Sequence, residues 1–508
     1  MQVMSIARRL LIIALAVALP AAALAQARSS RSQAGPAQEQ KRDPAPGVLR
    51  LLPSDSVTEH SIDLANGGKL AYAATAGTLP LYDQSGERTA AVFYTAYVAK
   101  GVDAAPRPVT FAFNGGPGAA SAYLHLGLVG PKILHFAPDR YDAATAQLRD
   151  NPQTWLEFTD LVLIDPVGTG WSRAAKPEGA DFFGVRKDAD FFAKVIALYV
   201  ANNGRSASPK YLLGESYGGF RAAKVARALQ QDQGIFVSGI IMLSPMLESA
   251  FQFGGDRFAL GAALHLPSLV AAELERTHAM SKEALAEAER FAMTEYLTTL
   301  AGPPPQGEAA RIFYARVAKM TGIAEEVVAQ SRGFLREAGL KHLRSADRMV
   351  VSRYDGCFAV DDPFPESREE RGPDPLLDGF TRAYAGAFVG YARDHLGYRT
   401  EMTYTLLARD ISNRWEWREG RRGNSGVSDD LRILLAHNPS FRLVIAHGYS
   451  DLVTPYMTSR YVIEHLPAID EGGRVQLRLY SGGHMFYIVD ESRKAFSADM
   501  KAFYGRGS

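Results

Sequence analysis

The sequence contains only one cysteine, Cys357, so the chain forms no internal disulfide. Its stability must therefore rest on the burial of apolar side chains, for which 508 residues with 47% hydrophobic content leave ample room. Cys357 itself is expected to be a buried small apolar residue. The chain also lacks an Asn-x-Ser/Thr glycosylation site, because Asn438-Pro439-Ser440 contains the excluding proline.

An excess of charge of either sign is missing as well. Lys and Arg number 56 and Asp and Glu 55, a balance that provides no electrostatic case for binding nucleic acid. Neither an HExxH pattern nor a cluster of Cys and His ligands is present, so we expect no metal and no cofactor. The sequence indicates no particular oligomeric state.

The N-terminus has the composition of an export signal. A short basic region, Arg8-Arg9, precedes an apolar run over 10–19 and small residues before a cleavage site at 25. The run is shorter than the roughly 20 residues that a membrane anchor needs. We therefore predict a signal peptide over 1–25, a flexible linker over 26–47, and a periplasmic or secreted protein with no membrane attachment after cleavage. The absence of disulfides and glycosylation sites favours a bacterial setting.

From about Val57 the pattern alternates as in an antiparallel meander. Short continuous apolar runs follow at 108–115, 161–166, 210–216, 239–245, 441–448 and 475–483, separated by helix-like stretches. Such runs are typical of strands buried on both faces in a parallel sheet. A long helical block at about 250–435 lies between two of them and is interpreted as a cap insertion.

Residues 214–218, Gly-Glu-Ser-Tyr-Gly, connect an apolar strand to a helix-like stretch. This context is typical of a nucleophile elbow, where a strained turn lifts the serine hydroxyl above the sheet and glycines avoid collisions. A plain tight turn is the alternative for the pentapeptide alone. With its context, the segment predicts Ser216 as a nucleophile on an α/β-hydrolase fold.

A serine nucleophile needs a base, and the partners in this fold follow in the order acid, then histidine. Asp451 and His484 come directly after the strands at 441–448 and 475–483, where parallel sheets place their chemistry. Taken alone, Asp451 is also a candidate cap for a helix beginning near Pro455, and a lone histidine is more often structural. Their order and placement together favour a catalytic triad, which also requires one catalytic domain over 48–508.

The oxyanion of an acyl-transfer reaction needs two backbone donors. One is expected to be the N–H of Tyr217, directly after the nucleophile, and the other an N–H of an early strand-to-loop turn. Gly115-Gly116-Pro117 provides such a turn, although a glycine-proline loop without function is the alternative.

Five short segments form a pattern: Asn114-Gly115-Gly116-Pro117-Gly118, Asn151-Pro152-Gln153-Thr154-Trp155, Asp165-Pro166-Val167-Gly168-Thr169-Gly170-Trp171-Ser172, Gly214-Glu215-Ser216-Tyr217-Gly218-Gly219 and Gly483-His484-Met485. In these segments, which extend over about 109–486, the sequence resembles the serine carboxypeptidase family. The resemblance implies that Ser216 is the nucleophile, His484 the base and Asp451 its orienter. It implies an oxyanion hole made by the N–H groups of Gly116 and Tyr217.

The same resemblance implies that Asn114, Gly115 and Glu215 hold the C-terminal carboxylate of a peptide substrate, with Met485 in the binding region. Such a role is chemically reasonable because a glutamic acid donates a hydrogen bond only when it is protonated. The resemblance accordingly implies a preference for acidic conditions with peptides.

Three positions depart from the family pattern. Leu128 stands where a second glutamate is usual, Ala119 replaces a cysteine, and Tyr487 replaces a proline. His125, one helical turn before Leu128, is either a substitute donor or a buried structural histidine, and the structural role is favoured.

These observations predict a serine carboxypeptidase-like hydrolase that cleaves C-terminal residues from peptides through an acyl-enzyme. Because the second glutamate is missing, an esterase or acyltransferase on the same scaffold is the first alternative. A non-catalytic binding protein on a hydrolase scaffold is the second.

Overall fold

The computed structural model describes residues 47–101, 106–136, 143–176, 182–252, 255–367, 370–418, 425–467 and 473–505. The predicted signal peptide and nearly all of the predicted linker lie outside these ranges. Gly47, the last residue of that linker, begins a short 3₁₀ helix, Gly47–Leu51. Among the described residues, no helix has both the length and the hydrophobicity needed to cross a membrane.

Fourteen β-strands form within the described ranges, and ten of them belong to one sheet. The other four form two small antiparallel pairs. The strands are β1 (Ser56–Asp63), β2 (Lys69–Tyr82), β3 (Arg88–Ala99), β4 (Val109–Phe113), β5 (Lys132–His135), β6 (Gln147–Asp150), β7 (Asp160–Ile164), β8 (Arg173–Ala174), β9 (Lys210–Glu215), β10 (Gly239–Leu243), β11 (Met349–Val351), β12 (Ala359–Asp361), β13 (Arg442–Gly448) and β14 (Val475–Tyr480).

The large sheet has the order β1-β2-β3-β7-β4-β9-β10-β13-β14, with β8 paired to β3. The pairs β1–β2, β2–β3 and β3–β7 are antiparallel, and the five pairs from β7 to β14 are parallel. Every residue of β4, β7, β9 and β10 is buried, which explains their continuous apolar sequences. This is the predicted α/β-hydrolase fold, and the predicted strand limits differ from the observed ones by at most three residues.

The hairpin of β5 and β6 was not expected from the sequence. Each strand has only four residues, and β6 has no fully buried position. A strand of this length with mostly exposed side chains leaves no alternation by which it could be recognised.

Fifteen α-helices are found in the same part of the chain. They are α1 (Ala122–Leu124), α2 (Val185–Asn202), α3 (Tyr217–Asp232), α4 (Ser249–Gln252), α5 (Ala259–Arg276), α6 (Lys282–Phe291), α7 (Leu297–Ala301), α8 (Gly307–Thr321), α9 (Glu325–Gln330), α10 (Arg336–His342), α11 (Pro375–Asp394), α12 (Arg409–Asn413), α13 (Ser428–His437), α14 (Tyr456–Glu464) and α15 (Asp490–Gly505).

Helices cover both faces of the large sheet. Alternate residues of β7 belong to opposite cores, with Leu163 in one and Val162 in the other, as the two-residue period of a strand requires. The core on the Val162 face includes side chains of α2, α3 and α13, and the core on the Leu163 face includes side chains of α11 and α15. Packing on both faces therefore fixes the sheet edge at which β9, β13 and β14 end and their loops begin.

The chain between β10 and β13 forms the cap insertion, which consists of α4 to α13 with the β11–β12 pair. Its first part, through α10, has a core of its own that includes Leu269, Phe291, Phe313 and Val317. Its second part packs against the sheet instead, because α11 places Phe388 and its neighbours along that face into the core of the sheet. One part of the insertion thus has its own core, and the other part belongs to the core of the sheet. The limits of 250–435 for the insertion stay a prediction.

Candidate active site

The turn between β9 and α3 has the geometry of a nucleophile elbow. Ser216 has φ 61° and ψ −125°, a strained conformation for a residue with a side chain. A Cβ at Gly214 would lie 1.9 Å from the carbonyl oxygen of Gly218, and one at Gly218 would lie 2.7 Å from that of Phe113. The glycines around Ser216 are therefore required by close backbone approach.

Asp451 and His484 meet at the ends of β13 and β14. His484 Nδ1 donates to Asp451 Oδ2 over 2.9 Å, and both side chains are buried. Asp451 Oδ1 accepts hydrogen bonds from the backbone N–H groups of Val453 (2.9 Å) and Thr454 (3.0 Å). These contacts belong to the loop before α14, so Asp451 orients the imidazole and does not cap that helix.

Electrostatics favour a charged imidazole beside a charged carboxylate. Burial alone would lower the pKa of His484, but the Asp451 carboxylate outweighs it and the pKa is raised above its ordinary value. Burial alone would raise the pKa of Asp451, but His484 outweighs it and the pKa is lowered. The pair can therefore accept a proton at the imidazole and stabilise the resulting charge.

The loop of His484 is also held by the cap insertion. The backbone N–H of His484 donates to the carbonyl oxygen of Tyr354 over 2.6 Å, in the turn between β11 and β12. The Tyr354 ring meets the imidazole edge-on with centroids 5.3 Å apart. A Cβ at Gly483 would lie 2.1 Å from the same carbonyl, so a glycine is needed next to the histidine.

Ser216 and His484 line one cavity of about 210 Å³. Ser216 is half-buried at its floor. Within the described part of the chain, no hydrogen bond joins Ser216 Oγ directly to His484. Catalytic hydrogen bonds are often loose without substrate and tighten in the complex, so the lack of this bond is compatible with a catalytic pair that lines one cavity.

Two residues whose backbone N–H groups are candidate oxyanion donors line the same cavity as Ser216. The N–H of Tyr217, the first residue of α3, lies at the N-terminus of this helix and so at the positive end of its dipole. Gly116, with φ +97°, lines the cavity, and its N–H donates to no acceptor among residues that the structure describes. A Cβ at Gly115 would lie 2.6 Å from the Tyr217 nitrogen, so the glycine loop packs directly on the elbow.

A buried carboxyl group lies next to the nucleophile. Glu215 Oε2 accepts hydrogen bonds from Asn114 Nδ2 (2.7 Å) and from the Tyr487 hydroxyl (2.8 Å). Burial raises the pKa of Glu215 to about 7, against the opposing effects of His484 and these two donors. Glu215 is therefore able to exchange a proton with its surroundings near neutral pH.

Tyr487 is the functional residue that sequence reasoning missed. It was noted only because it replaces a proline, yet its hydroxyl completes the surroundings of Glu215. Its position three residues after His484, in the same loop, was a usable signal.

The other departures from the family pattern lie in the hydrophobic core. Leu128 is fully buried and does not line the cavity. His125 Nε2 bonds to the Tyr97 hydroxyl over 2.7 Å and its ring is surrounded by aromatic side chains. Burial lowers the pKa of His125 to about 3, so it is a neutral structural histidine and not a substitute donor in the cavity.

The expectation for Cys357 was wrong, because the residue is exposed. It lies between β11 and β12, and its thiol donates to Glu275 Oε2 over 3.1 Å. A small apolar residue in a surface turn has no core to enter, and sequence alone did not place this turn at the surface.

The rest of the cavity wall is mostly apolar, and among the described residues that line it none is Lys or Arg. Gly115 and Met485, whose substrate-binding role stays a prediction, both line it. Larger side chains complete the wall: Tyr123, Met246, Tyr354, Leu377, Leu407 and Trp417. In the described ranges, no group of three His, Cys, Asp or Glu side chains is placed to hold a metal ion.

The strand order, the elbow and the buried Asp451–His484 pair define a hydrolase of the α/β-hydrolase type. Residues 73–286 match the family model described as serine carboxypeptidase. The predicted resemblance to the serine carboxypeptidase family is thereby confirmed over this stretch, which contains Asn114, Glu215 and Ser216. Among curated proteins, none matches the sequence significantly.

Solved structures of similar arrangement include several enzymes. A soluble variant of monoglyceride lipase from Saccharomyces cerevisiae is 13% identical, with a TM-score of 0.36, and covers 85% of this chain and 96% of its own. VinJ is 14% identical, with a TM-score of 0.37, and the match covers 85% of this chain and 99% of VinJ. A carboxyl esterase from Bacillus coagulans is 12% identical, with a TM-score of 0.34, and the match covers 85% of this chain and 98% of the esterase. The strand order and the elbow define the fold.

Proposed function

We propose that this protein is a serine carboxypeptidase that removes C-terminal residues from peptides. The observation that carries the proposal is the Glu215–Asn114 pair, which lies in the same cavity as Ser216 and His484. An esterase needs only a nucleophile, a base and an oxyanion hole, whereas a protonatable carboxyl beside the nucleophile adds a donor for a substrate carboxylate.

The proposed chemistry is acyl transfer to water. Ser216 Oγ attacks the carbonyl carbon of the last peptide bond while His484 accepts the hydroxyl proton. The N–H groups of Gly116 and Tyr217 stabilise the oxyanion. His484 then donates the proton to the leaving amine, and water hydrolyses the acyl-enzyme with His484 again acting as base.

Recognition of the terminal carboxylate is proposed to use uncharged donors. The cavity presents no Lys or Arg among its described lining residues, so a substrate carboxylate must be bound by other groups. The backbone N–H of Gly115 and a protonated Glu215 are such donors, with Asn114 holding the glutamic acid in place. Since the pKa of Glu215 is about 7, this binding is expected to weaken above neutral pH.

The proposal is tested by incubating an N-blocked dipeptide, its C-terminal amide and its methyl ester with the enzyme and following the products by mass spectrometry. We expect kcat/KM for the free acid to exceed that for the amide at pH 5 to 6. Ser216→Ala serves as the control for contaminating activity. Cleavage of the ester with no cleavage of the free acid would refute the carboxypeptidase proposal.

An esterase or acyltransferase is the second candidate, and one observation favours it. Leu128 is apolar and buried where the family usually has a second acidic residue, so among the described residues that line the cavity Glu215 is the only one with a carboxyl group. The ester arm of the same assay measures this activity directly.

A non-catalytic role and the location of the protein are tested separately. A fluorophosphonate probe should label Ser216, and a folded protein that stays unlabelled would favour a binding function. We also propose export, with cleavage after residue 25. N-terminal sequencing of the mature protein from fractionated cells tests it, and an intact N-terminus in the cytoplasmic fraction would contradict it.

A further inference from the structure

A buried ion pair lies directly behind the cavity. Arg221, in the second turn of α3, has a fully buried side chain, and its Nε donates to Asp188 Oδ2 of α2 over 2.7 Å. Its guanidinium lies 4.7 Å from the ring centre of Phe192 and 5.1 Å from that of Tyr217. Burying such a pair costs desolvation energy that apolar residues of similar size avoid, so the pair calls for an explanation other than stability.

A third contact of Arg221 explains why a buried ion pair is present here. Its Nη1 donates to the backbone carbonyl oxygen of Asn114, at the start of the glycine loop. The same carbonyl lies against the first turn of α3, where a Cβ at Gly218 would be 3.1 Å from it. The orientation of the Asn114–Gly115 peptide is thus fixed by a charged donor from a helix that is itself fixed to the sheet.

The orientation of that carbonyl determines where the next N–H points. The Asn114–Gly115 bond is not among the cis peptides of the described chain, and in a trans peptide the C=O and the following N–H point in opposite directions. With the carbonyl directed at α3, the N–H of Gly115 is directed away from α3. Gly115 lines the cavity, and within the described ranges its N–H donates to no acceptor.

We infer that Arg221 is a positioning residue that aims the Gly115 N–H at the carboxylate of the substrate. This inference rests on the proposed function, because it assigns the support of the proposed carboxylate site. Arg221 touches neither the substrate nor the reacting atoms. Asp188 fixes the position of the Arg221 guanidinium by accepting a hydrogen bond from its Nε, so Arg221 and Asp188 act as one unit.

The test compares wild type with the double variant Arg221→Met/Asp188→Leu, which removes both charges and leaves neither one buried alone. We expect KM for an N-blocked dipeptide to rise by about 10- to 100-fold, the order caused by a misplacement of about 1 Å. The kcat/KM for the matching methyl ester should change by less than about threefold, because that substrate has no carboxylate to bind.

Arg205→Met is the matched control. Arg205 pairs with Asp160 over 2.6 Å at low exposure, at the start of β7 and so at the opposite edge of the sheet from Ser216. Asp160 keeps its second partner, Arg107. This variant should lower the melting temperature without changing the ratio of peptide to ester activity. Equal losses for peptide and ester in the double variant, or no loss for either, would overturn the inference.

Binding separates the inference from the proposed function. Calorimetry in the Ser216→Ala background compares N-acetylphenylalanine with N-acetylphenylalaninamide at pH 5, with and without the double substitution. We expect the double substitution to weaken binding of the acid by about tenfold or more and that of the amide by less. A wild type that cleaves no peptide refutes the proposed function. Unchanged affinity for the acid, or no affinity in either protein, refutes the role of Arg221.

Discussion

The hydroxyl of Tyr487 offers the most direct control over the pH dependence of this site. It donates to Glu215 Oε2 over 2.8 Å, and a donor to a carboxylate stabilises its charged form. Tyr487→Phe removes the donor and keeps the ring. The pKa of Glu215 should therefore rise from its present value of about 7.

The size of the shift follows from the strength of the bond. A hydrogen bond to a charged group contributes about 1.5–3 kcal/mol, and one pKa unit corresponds to about 1.4 kcal/mol. The pKa of Glu215 is thus expected to rise by about one to two units. If the protonated form binds the substrate carboxylate, peptide hydrolysis should persist to higher pH in the variant by the same amount.

The assay is kcat/KM between pH 5 and 9.5 for a blocked dipeptide and its methyl ester. The alkaline limb should move upward for the peptide alone. Tyr384→Phe is the control, because this buried tyrosine lies near Glu215 and, within the described residues, makes no hydrogen bond to it. An unmoved limb, a downward shift, or an equal shift in the control would refute the reasoning.

Further predictions concern the groups around the nucleophile. Ser216→Ala should lower kcat by about 10⁶ with substrate binding retained, and Asp451→Asn by about 10⁴, since the amide favours the wrong tautomer of the imidazole; steady-state kinetics measure both. In Glu215 the folded pKa of about 7 lies above the unfolded value, so wild-type stability falls as pH rises from about 4.5 to 7. Glu215→Gln should then be more stable than wild type at pH 8 by up to about 3 kcal/mol and equally stable at pH 4, as urea unfolding at both pH values will show. Gly214→Ala should abolish activity and lower the melting temperature, because its Cβ would lie 1.9 Å from a carbonyl oxygen.

Sequence patterns predicted the parts of the site that are local in the chain. The elbow at Ser216 is a strand, a turn and a helix in succession, and Asp451 and His484 follow two recognisable strands. Tyr487 and Glu215 are 272 positions apart, and no local pattern indicates that their side chains meet. The hydrogen bond from Arg221 to the Asn114 carbonyl likewise depends on how α3 packs against the glycine loop.

The cap insertion shows a second limit of sequence reasoning. Helices α5 to α10 build a separate core, whereas α11 enters the core of the sheet. An amphipathic pattern shows that a helix has an apolar face but not which partner covers it. The exposed position of Cys357 was missed for a different reason: the flanking strands β11 and β12 have only three residues each, too few for a recognisable pattern.

The backbone carbonyl of Tyr354 accepts a hydrogen bond from the N–H of His484, so the insertion does more than line the cavity: it also holds the loop that carries His484. Trimming the insertion to admit bulkier substrates would therefore also remove the backbone acceptor that holds the loop of His484. Changes of selectivity in this scaffold are therefore best sought by replacing wall side chains such as Leu377 or Leu407, with the β11–β12 turn left intact.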